Sequence, residues 1–203
     1  MKTGNINDRG FSVCKTIAEI GEDHYFEILG KYKKEGKISS ALDLRDSNLF
    51  RLLDIDFAFT TDGKDHTVED AENVFLKKLS RKNWHFVEVK TDTWSLTTGN
   101  FFLEWLVHNT AGCLGCTRAD KWIYYGITKG THEIKKCWSI DVVALRKAIE
   151  SGEILETIET DDEKIERDYI PHYCGDYKTE NFAWKIRINS LVEKKIAKEI
   201  KIE

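Results

Sequence analysis

The sequence predicts an α/β (α+β) fold in which a central mixed β-sheet is flanked by helices. Three observations carry this. A helical stripe opens the chain, a run of short apolar segments with strand character fills its middle, and amphipathic segments with helix start and stop signals interrupt and follow that run. Hydrophobic residues at 41% and charged residues at 33% of 203 positions suit a globular chain with a sizeable core. A single proline and the absence of a Gly/Ser-rich linker mark no domain boundary. The expectation is therefore one domain over 1–203, with a helical insertion near 61–83 and a less regular C-terminal tail over 152–203.

Phe11 to Lys34 predicts a helix, because Val13, Ile17, Ile20, Tyr25, Ile28, Leu29 and Tyr32 recur near helical spacing. Gly36 stops it, and Gly21 within it predicts a kink or two helices. Ile38 to Leu44 reads as a first short strand and Leu52 to Thr60 as a second. Thr61-Asp62-Gly63-Lys64-Asp65 is turn chemistry. A short helix over Val68 to Arg81, N-capped by Thr67, then separates two strands that would otherwise form a hairpin.

His85 to Thr91, Asn100 to His108, Lys121 to Ile127 and Glu133 to Trp138 follow as strands. Ser139 to Ser151 is a helix capped by Ser139 or Asp141 and ended by Gly152. Glu153 to Arg167 is acidic and weakly patterned, which predicts a surface segment. Phe182 to Ile188 reads as a last strand and Leu191 to Ile202 as a Lys-rich terminal helix.

Within this frame, Phe86-Val87-Glu88-Val89-Lys90 stands out. Strand alternation puts Phe86, Glu88 and Lys90 on one face and Val87 and Val89 on the other. A Glu and a Lys on one face of an apolar strand are costly to bury unless paired or used. Leu52-Leu53-Asp54-Ile55-Asp56-Phe57-Ala58-Phe59 repeats the pattern with two carboxylates. If the two strands are neighbours, Asp54, Asp56, Glu88 and Lys90 converge on an oxygen-rich site for a hard cation with a lysine beside it. The alternative is a buried salt-bridge network of little net stability.

The net charge of −4 excludes a globally basic nucleic-acid binder. Lys31, Lys33, Lys34 and Lys37, and then Lys77, Lys78, Arg81 and Lys82, form local basic clusters that read first as solvated helix faces. No apolar run approaches the roughly 20 residues that span a bilayer, and the N-terminus lacks a secretory apolar region, so a cytoplasmic protein is expected.

Five cysteines, an odd number, predict reduced thiols. Cys113-Leu114-Gly115-Cys116 has the spacing of a zinc knuckle. A closed zinc site needs two more ligands, and Cys137, His172 and Cys174 do not repeat the pattern. Trp84, Trp94, Trp105, Trp122, Tyr124 and Tyr125 read first as core, with base stacking as the alternative.

The ordered series Glu88-Val89-Lys90-Thr91-Asp92, Thr98-Gly99-Asn100-Phe101-Phe102-Leu103-Glu104 and Thr117-Arg118-Ala119-Asp120-Lys121 resembles the PD-(D/E)xK nuclease superfamily. The likeness is to a phage and bacterial subgroup with an EVKTD…TGN…KAD series, and it covers about Phe11 to Ile127. It implies a restriction-endonuclease-like core and Mg2+-dependent hydrolysis of DNA phosphodiesters, with Mn2+ as a substitute. It puts the motif aspartate on Asp54 or Asp56 and the Glu and Lys on Glu88 and Lys90; by the chemistry of the residues alone, the Val89 carbonyl can add another oxygen to a Mg2+ site.

A supporting glutamate falls on Glu22 or Glu27, and Glu104 would bind a second metal through water or hold Lys90. Asn100 and Arg118 are the implied substrate contacts. Arg118 stands where the subgroup has lysine, and the proline of the motif's name is absent. The resemblance further implies a DNA partner, a homodimer and, for a phage protein, the host cytoplasm. A non-catalytic DNA-binding module and a zinc-stabilised interaction module, both retaining the fold, are the rival expectations.

Overall fold

The computed structural model describes the backbone of residues 6–107, 110–160, 162–176 and 179–202, and the side chains of 16–107, 110–160, 162–173 and 182–202. His108 and the Val13, Cys14 and Cys174 side chains lie outside them.

In chain order the elements are α1 (Ile6–Lys34), β1 (Ser40–Asp43), α2 (Asn48–Leu52), β2 (Phe57–Thr60), α3 (Val68–Leu76), β3 (Trp84–Asp92) and α4 (Ser95–Thr98). They continue with β4 (Asn100–Val107), β5 (Thr110–Ala111), α5 (Cys113–Cys116), β6 (Lys121–Ile127), β7 (Ile134–Asp141) and α6 (Val142–Glu150). β8 (Ile158–Glu159), β9 (Lys164–Ile165), β10 (Tyr169–Asp176), β11 (Thr179–Arg187), α7 (Ile188–Glu193) and β12 (Ala197–Ile200) complete the chain.

The central sheet is six-stranded, in the order β1-β2-β3-β6-β7-β12. Only β3 and β6 run parallel, with Glu88 opposite Trp122 and Lys90 opposite Tyr124. The other neighbours are antiparallel. This is the mixed sheet flanked by helices that the sequence predicts. A second, four-stranded sheet in the order β10-β11-β4-β5 packs beside it, and β8 pairs with β9.

The face of the central sheet under α1 is apolar. Tyr25 and Leu29 of α1 pack on Phe57, Val87, Val89, Ile123 and Tyr125. On the opposite face Phe86, Trp122, Tyr124 and Ile140 meet Leu145 of α6 and Phe101, Leu103 and Ile186 of the second sheet. Each fully buried Leu, Ile or Phe contributes roughly 1.5–3 kcal/mol over exposure, so the apolar packing can carry a few costly charges between these layers.

Several expectations are corrected. α1 is continuous through Gly21. A Cβ there would stand 2.0 Å from Thr91 Oγ1 and 2.8 Å from Tyr125 Cδ2, so the glycine serves close approach of helix to sheet. The predicted Leu52–Thr60 strand is shorter, since Asn48–Leu52 is helical and Asp54 has φ 52°. Phe50, wholly buried, stacks on Phe86 and pins that helix to the core, which overrides the strand-like run.

The Lys-rich terminal helix is also wrong. α7 ends at Glu193, Lys195 takes φ 59°, and Ala197–Ile200 pairs with Cys137–Ile140 as an edge strand. Ladder bonding to β7 wins over the helix propensity of lysine, as tertiary context does for a weak local preference. Ser139 is in β7, and Asp141 alone caps α6 by accepting from the Ala144 N–H. β10 and the β8–β9 hairpin have no counterpart among the predicted elements. Thr67 caps α3 as expected, in a capping box with Asp70.

Candidate metal centre

β3 carries the central pair, and alternation aims it as predicted. Val87 and Val89 enter the α1 face, while Phe86, Glu88 and Lys90 point the other way. Lys90 Nζ lies 2.5 Å from Glu88 Oε1 and 3.5 Å from Asp54 Oδ2.

Asp54 and Asp56 reach this point from a turn, not from a strand interior. The Asp54 carbonyl accepts the Thr117 hydroxyl (2.9 Å), and the Leu53 carbonyl accepts the Arg118 N–H (2.8 Å). The segment before β6 thus clamps the turn that presents Asp54. The Asp56 N–H donates to the Val87 carbonyl (3.0 Å), and Asp56 Oδ2 accepts the Val89 N–H (2.7 Å). Residues of a strand direct N–H and C=O to the same side. The Val89 carbonyl therefore also faces the edge occupied by Asp56, just before β2 begins.

α1 supplies Glu22, the residue after the close-approach Gly21. A cleft of about 280 Å3 is lined by Glu22, Arg45, Arg51, Asp54, Asp56 and Glu88. Glu27 is exposed elsewhere on α1, since five residues along a helix turn a side chain well away from the first. Arg45 is occupied by Asp43 (2.6 Å), Asp23 (2.9 Å) and Glu22 (3.1 Å).

The electrostatics are dominated by burial, to which neighbouring carboxylates add. Burial pushes the Asp56 carboxyl up to about 6, with the Glu22 charge adding to the rise and the Val89 amide and Lys90 opposing it. Burial also holds Glu88 well above the usual carboxylate range, with Asp56 and Asp54 adding and Lys90 opposing. Burial disfavours the charged form of Lys90, but the Glu88 charge outweighs it and keeps the ammonium protonated well above the ordinary lysine value. The direction of this shift favours the ammonium over the free amine that a general base would need.

The other candidates do not join this cleft. Glu104 is exposed on β4, and its backbone carbonyl accepts the Cys113 thiol at 3.6 Å. Lys90 is held by Glu88 and Asp54 instead. Asn100 donates to the Thr98 carbonyl and lines a separate cavity. The Arg118 side chain is exposed, and its backbone does the clamping. Cys113 is buried, its thiol pushed up to about 12 by burial. Two residues escaped the sequence reading: Arg51, an exposed cation at the rim of the acidic cleft, and Arg45, which anchors Glu22. Ser47 caps α2 by accepting from the Phe50 N–H, and Arg51 lies one turn after it.

Among the described residues no group of three or more His, Cys, Asp or Glu side chains is arranged so that it could hold a metal ion as it stands. The donor chemistry nevertheless fits a hard divalent cation. Glu22, Asp54, Asp56, Glu88 and the Val89 carbonyl are all oxygen donors, and Asp54 Oδ2 is buried without a hydrogen bond. Mg2+ or Mn2+ would be held by Asp54, Asp56, Glu88 and Val89, with Glu22 behind them. No helix among the described residues is long and apolar enough to cross a membrane. Comparison with family models, curated proteins and solved structures gives no match to this chain.

Proposed function

We propose that this protein is a divalent-metal-dependent endonuclease of the PD-(D/E)xK kind that hydrolyses DNA phosphodiester bonds. The observation that carries this reading is that Glu88 of β3 lines one cleft with Asp54, Asp56 and Glu22, while Lys90 pairs with Glu88 and Asp54 beside it. A bound Mg2+ or Mn2+ supplies Lewis-acid polarisation of a phosphate and of a water. Lys90, held protonated, stabilises the negative charge that builds on the phosphate oxygens in the transition state. Asp56, tied to the Val89 amide, fixes the relation between the carboxylates and the carbonyl beside them. Arg51 at the rim is placed to meet a phosphate of the approaching backbone. A homodimer cutting two strands, and action in the cytoplasm (of the host, for a phage protein), belong to the same proposal.

The 2.5 Å pair between Lys90 and Glu88 favours a second reading, a non-catalytic DNA-binding module in which the ion pair is purely structural. A cleavage assay on linear, nicked, branched and single-stranded DNA with Mg2+ or Mn2+ separates the two. Cleavage is expected that EDTA abolishes and that Lys90→Ala or Glu88→Ala removes while the fold persists. Wild-type cleavage by both variants would overturn the site.

A further inference from the structure

A second concave site lies further along the same face of β3. Asp92 follows Glu88 and Lys90 at the alternating spacing, about 13 Å beyond Glu88 at the rise of a strand. It borders a cavity of about 650 Å3 whose wall includes Trp94, Asn100, Phe102, His172 and Lys185. A cavity of this size, mostly apolar with a few polar groups, has the form of a ligand site.

The charge of Asp92 is already engaged. Oδ1 accepts the Trp94 and Ser95 N–H groups (3.1 and 2.9 Å), and Oδ2 accepts the Tyr124 hydroxyl (2.5 Å). Those bonds shape the turn that leaves Trp94 62% exposed, too large an indole surface for core packing to explain. The Lys129 ammonium sits 5.4 Å from the Trp94 ring centroid. Phe102 is 38% exposed and meets the His172 ring edge-on at 5.6 Å. Flat aromatic surfaces beside Lys129 and Lys185 complement a base that carries its phosphate.

We propose that this cavity seats an unpaired base of a DNA strand that continues from the acidic cleft, stacked on Trp94 and Phe102 with its phosphate beside Lys185. A base held in a duplex has both faces covered by its neighbours and cannot enter such a concavity. The substrate is accordingly DNA with a single-stranded segment, such as an overhang, flap or gap. This inference rests on the nuclease reading and adds a substrate class to it.

The test is fluorescence polarisation of labelled oligo(dT) and of a duplex of equal length with the full chain in EDTA, where no cleavage occurs. A Mg2+ cleavage assay is run in parallel. Oligo(dT) is expected to bind more tightly than duplex, and Trp94→Ala to weaken it about tenfold or more, the loss of one base–aromatic stack. Trp94→Phe retains a ring and is expected to restore most of the binding. Wild-type oligo(dT) binding by a folded Trp94→Ala overturns the inference. If that variant still cleaves DNA, the nuclease reading survives. If wild type neither binds nor cuts DNA, both fall. A changed oligomeric state in Trp94→Ala with unchanged DNA binding assigns the cavity to a second copy of the chain and also overturns the inference.

Discussion

Asp56 and Asp120 do the same local job on the same strand and are built for different ends. Each accepts a β3 backbone N–H through its Oδ2: Asp56 from Val89 at 2.7 Å, Asp120 from Phe86 at 2.9 Å. Asp120 gives its other oxygen to Arg81 at 2.8 Å. That guanidinium lies 4.7 Å from the Phe75 and Phe86 ring centroids. Its charge is thus balanced and packed. Asp56 instead has no cation of its own among the described residues, and burial, with the Glu22 charge adding, drives its carboxyl up to about 6 against the opposing Val89 amide, Lys90 and Glu88 hydrogen bond. A carboxylate that only ties a strand is given a cation, whereas one kept in crowded company stores repulsion that a divalent ion would relieve.

The largest expected effect that separates the two is on catalysis. Asp56→Asn keeps an acceptor for the Val89 amide but removes a metal oxygen, and is expected to lower Mg2+-dependent DNA cleavage about 100-fold or more. Asp120→Asn, assayed beside it, is expected to stay within about tenfold of wild type, because the introduced carboxamide oxygen would still accept the Phe86 N–H. Equal losses in the two would erase the distinction.

Stability is expected to move the other way. Asp120→Ala strands the Phe86 amide and the Arg81 charge and should cost about 1–3 kcal/mol in urea unfolding. Asp56→Asn should stabilise the metal-free protein at pH 8 by about 1–3 kcal/mol. The sign follows from the direction of the shift. A folded-state pKa near 6, above the ordinary 3.8, means the folded protein binds the proton more tightly than the unfolded chain. Stability from this group therefore rises as pH falls from 8 through 6 towards 4, and Asp56→Asn should flatten that slope. Urea unfolding of both proteins across that range is the check.

Those effects also show what could be read in the sequence. The alternation of Glu88 and Lys90 against Val87 and Val89, the Thr67 cap and the bounds of Lys121–Ile127 follow from local periodicity and chemistry, and all are found. The Asp54 turn was hidden because Leu49-Phe50-Arg51-Leu52-Leu53 is short enough to suit helix or strand, and only the stacking of Phe50 on Phe86 decides. Likewise Glu22 and Glu27 are equivalent as helix glutamates. What brings Glu22 and not Glu27 to the cleft is the close fit of Gly21 on Thr91, which no spacing rule contains. The Lys-rich end is misread by local propensity because its partner strand, Cys137–Ile140, lies far away in sequence.

The smallest expected effect sharpens the acidic side of the comparison. Arg51 is exposed and lines the cleft. Arg51→Ala should leave unfolding within about 0.5 kcal/mol of wild type. It should weaken DNA binding a few-fold and reduce the salt slope of that binding by about one. Polarisation titrations at several salt concentrations measure both.

Isothermal titration calorimetry of Mn2+ into wild type, Asp56→Asn and Asp120→Asn tests the central claim most directly. Binding to wild type and to Asp120→Asn, with loss in Asp56→Asn, is the predicted result. Equal binding by all three, or none by wild type, would contradict a metal centre between the turn that precedes β2 and the middle of β3.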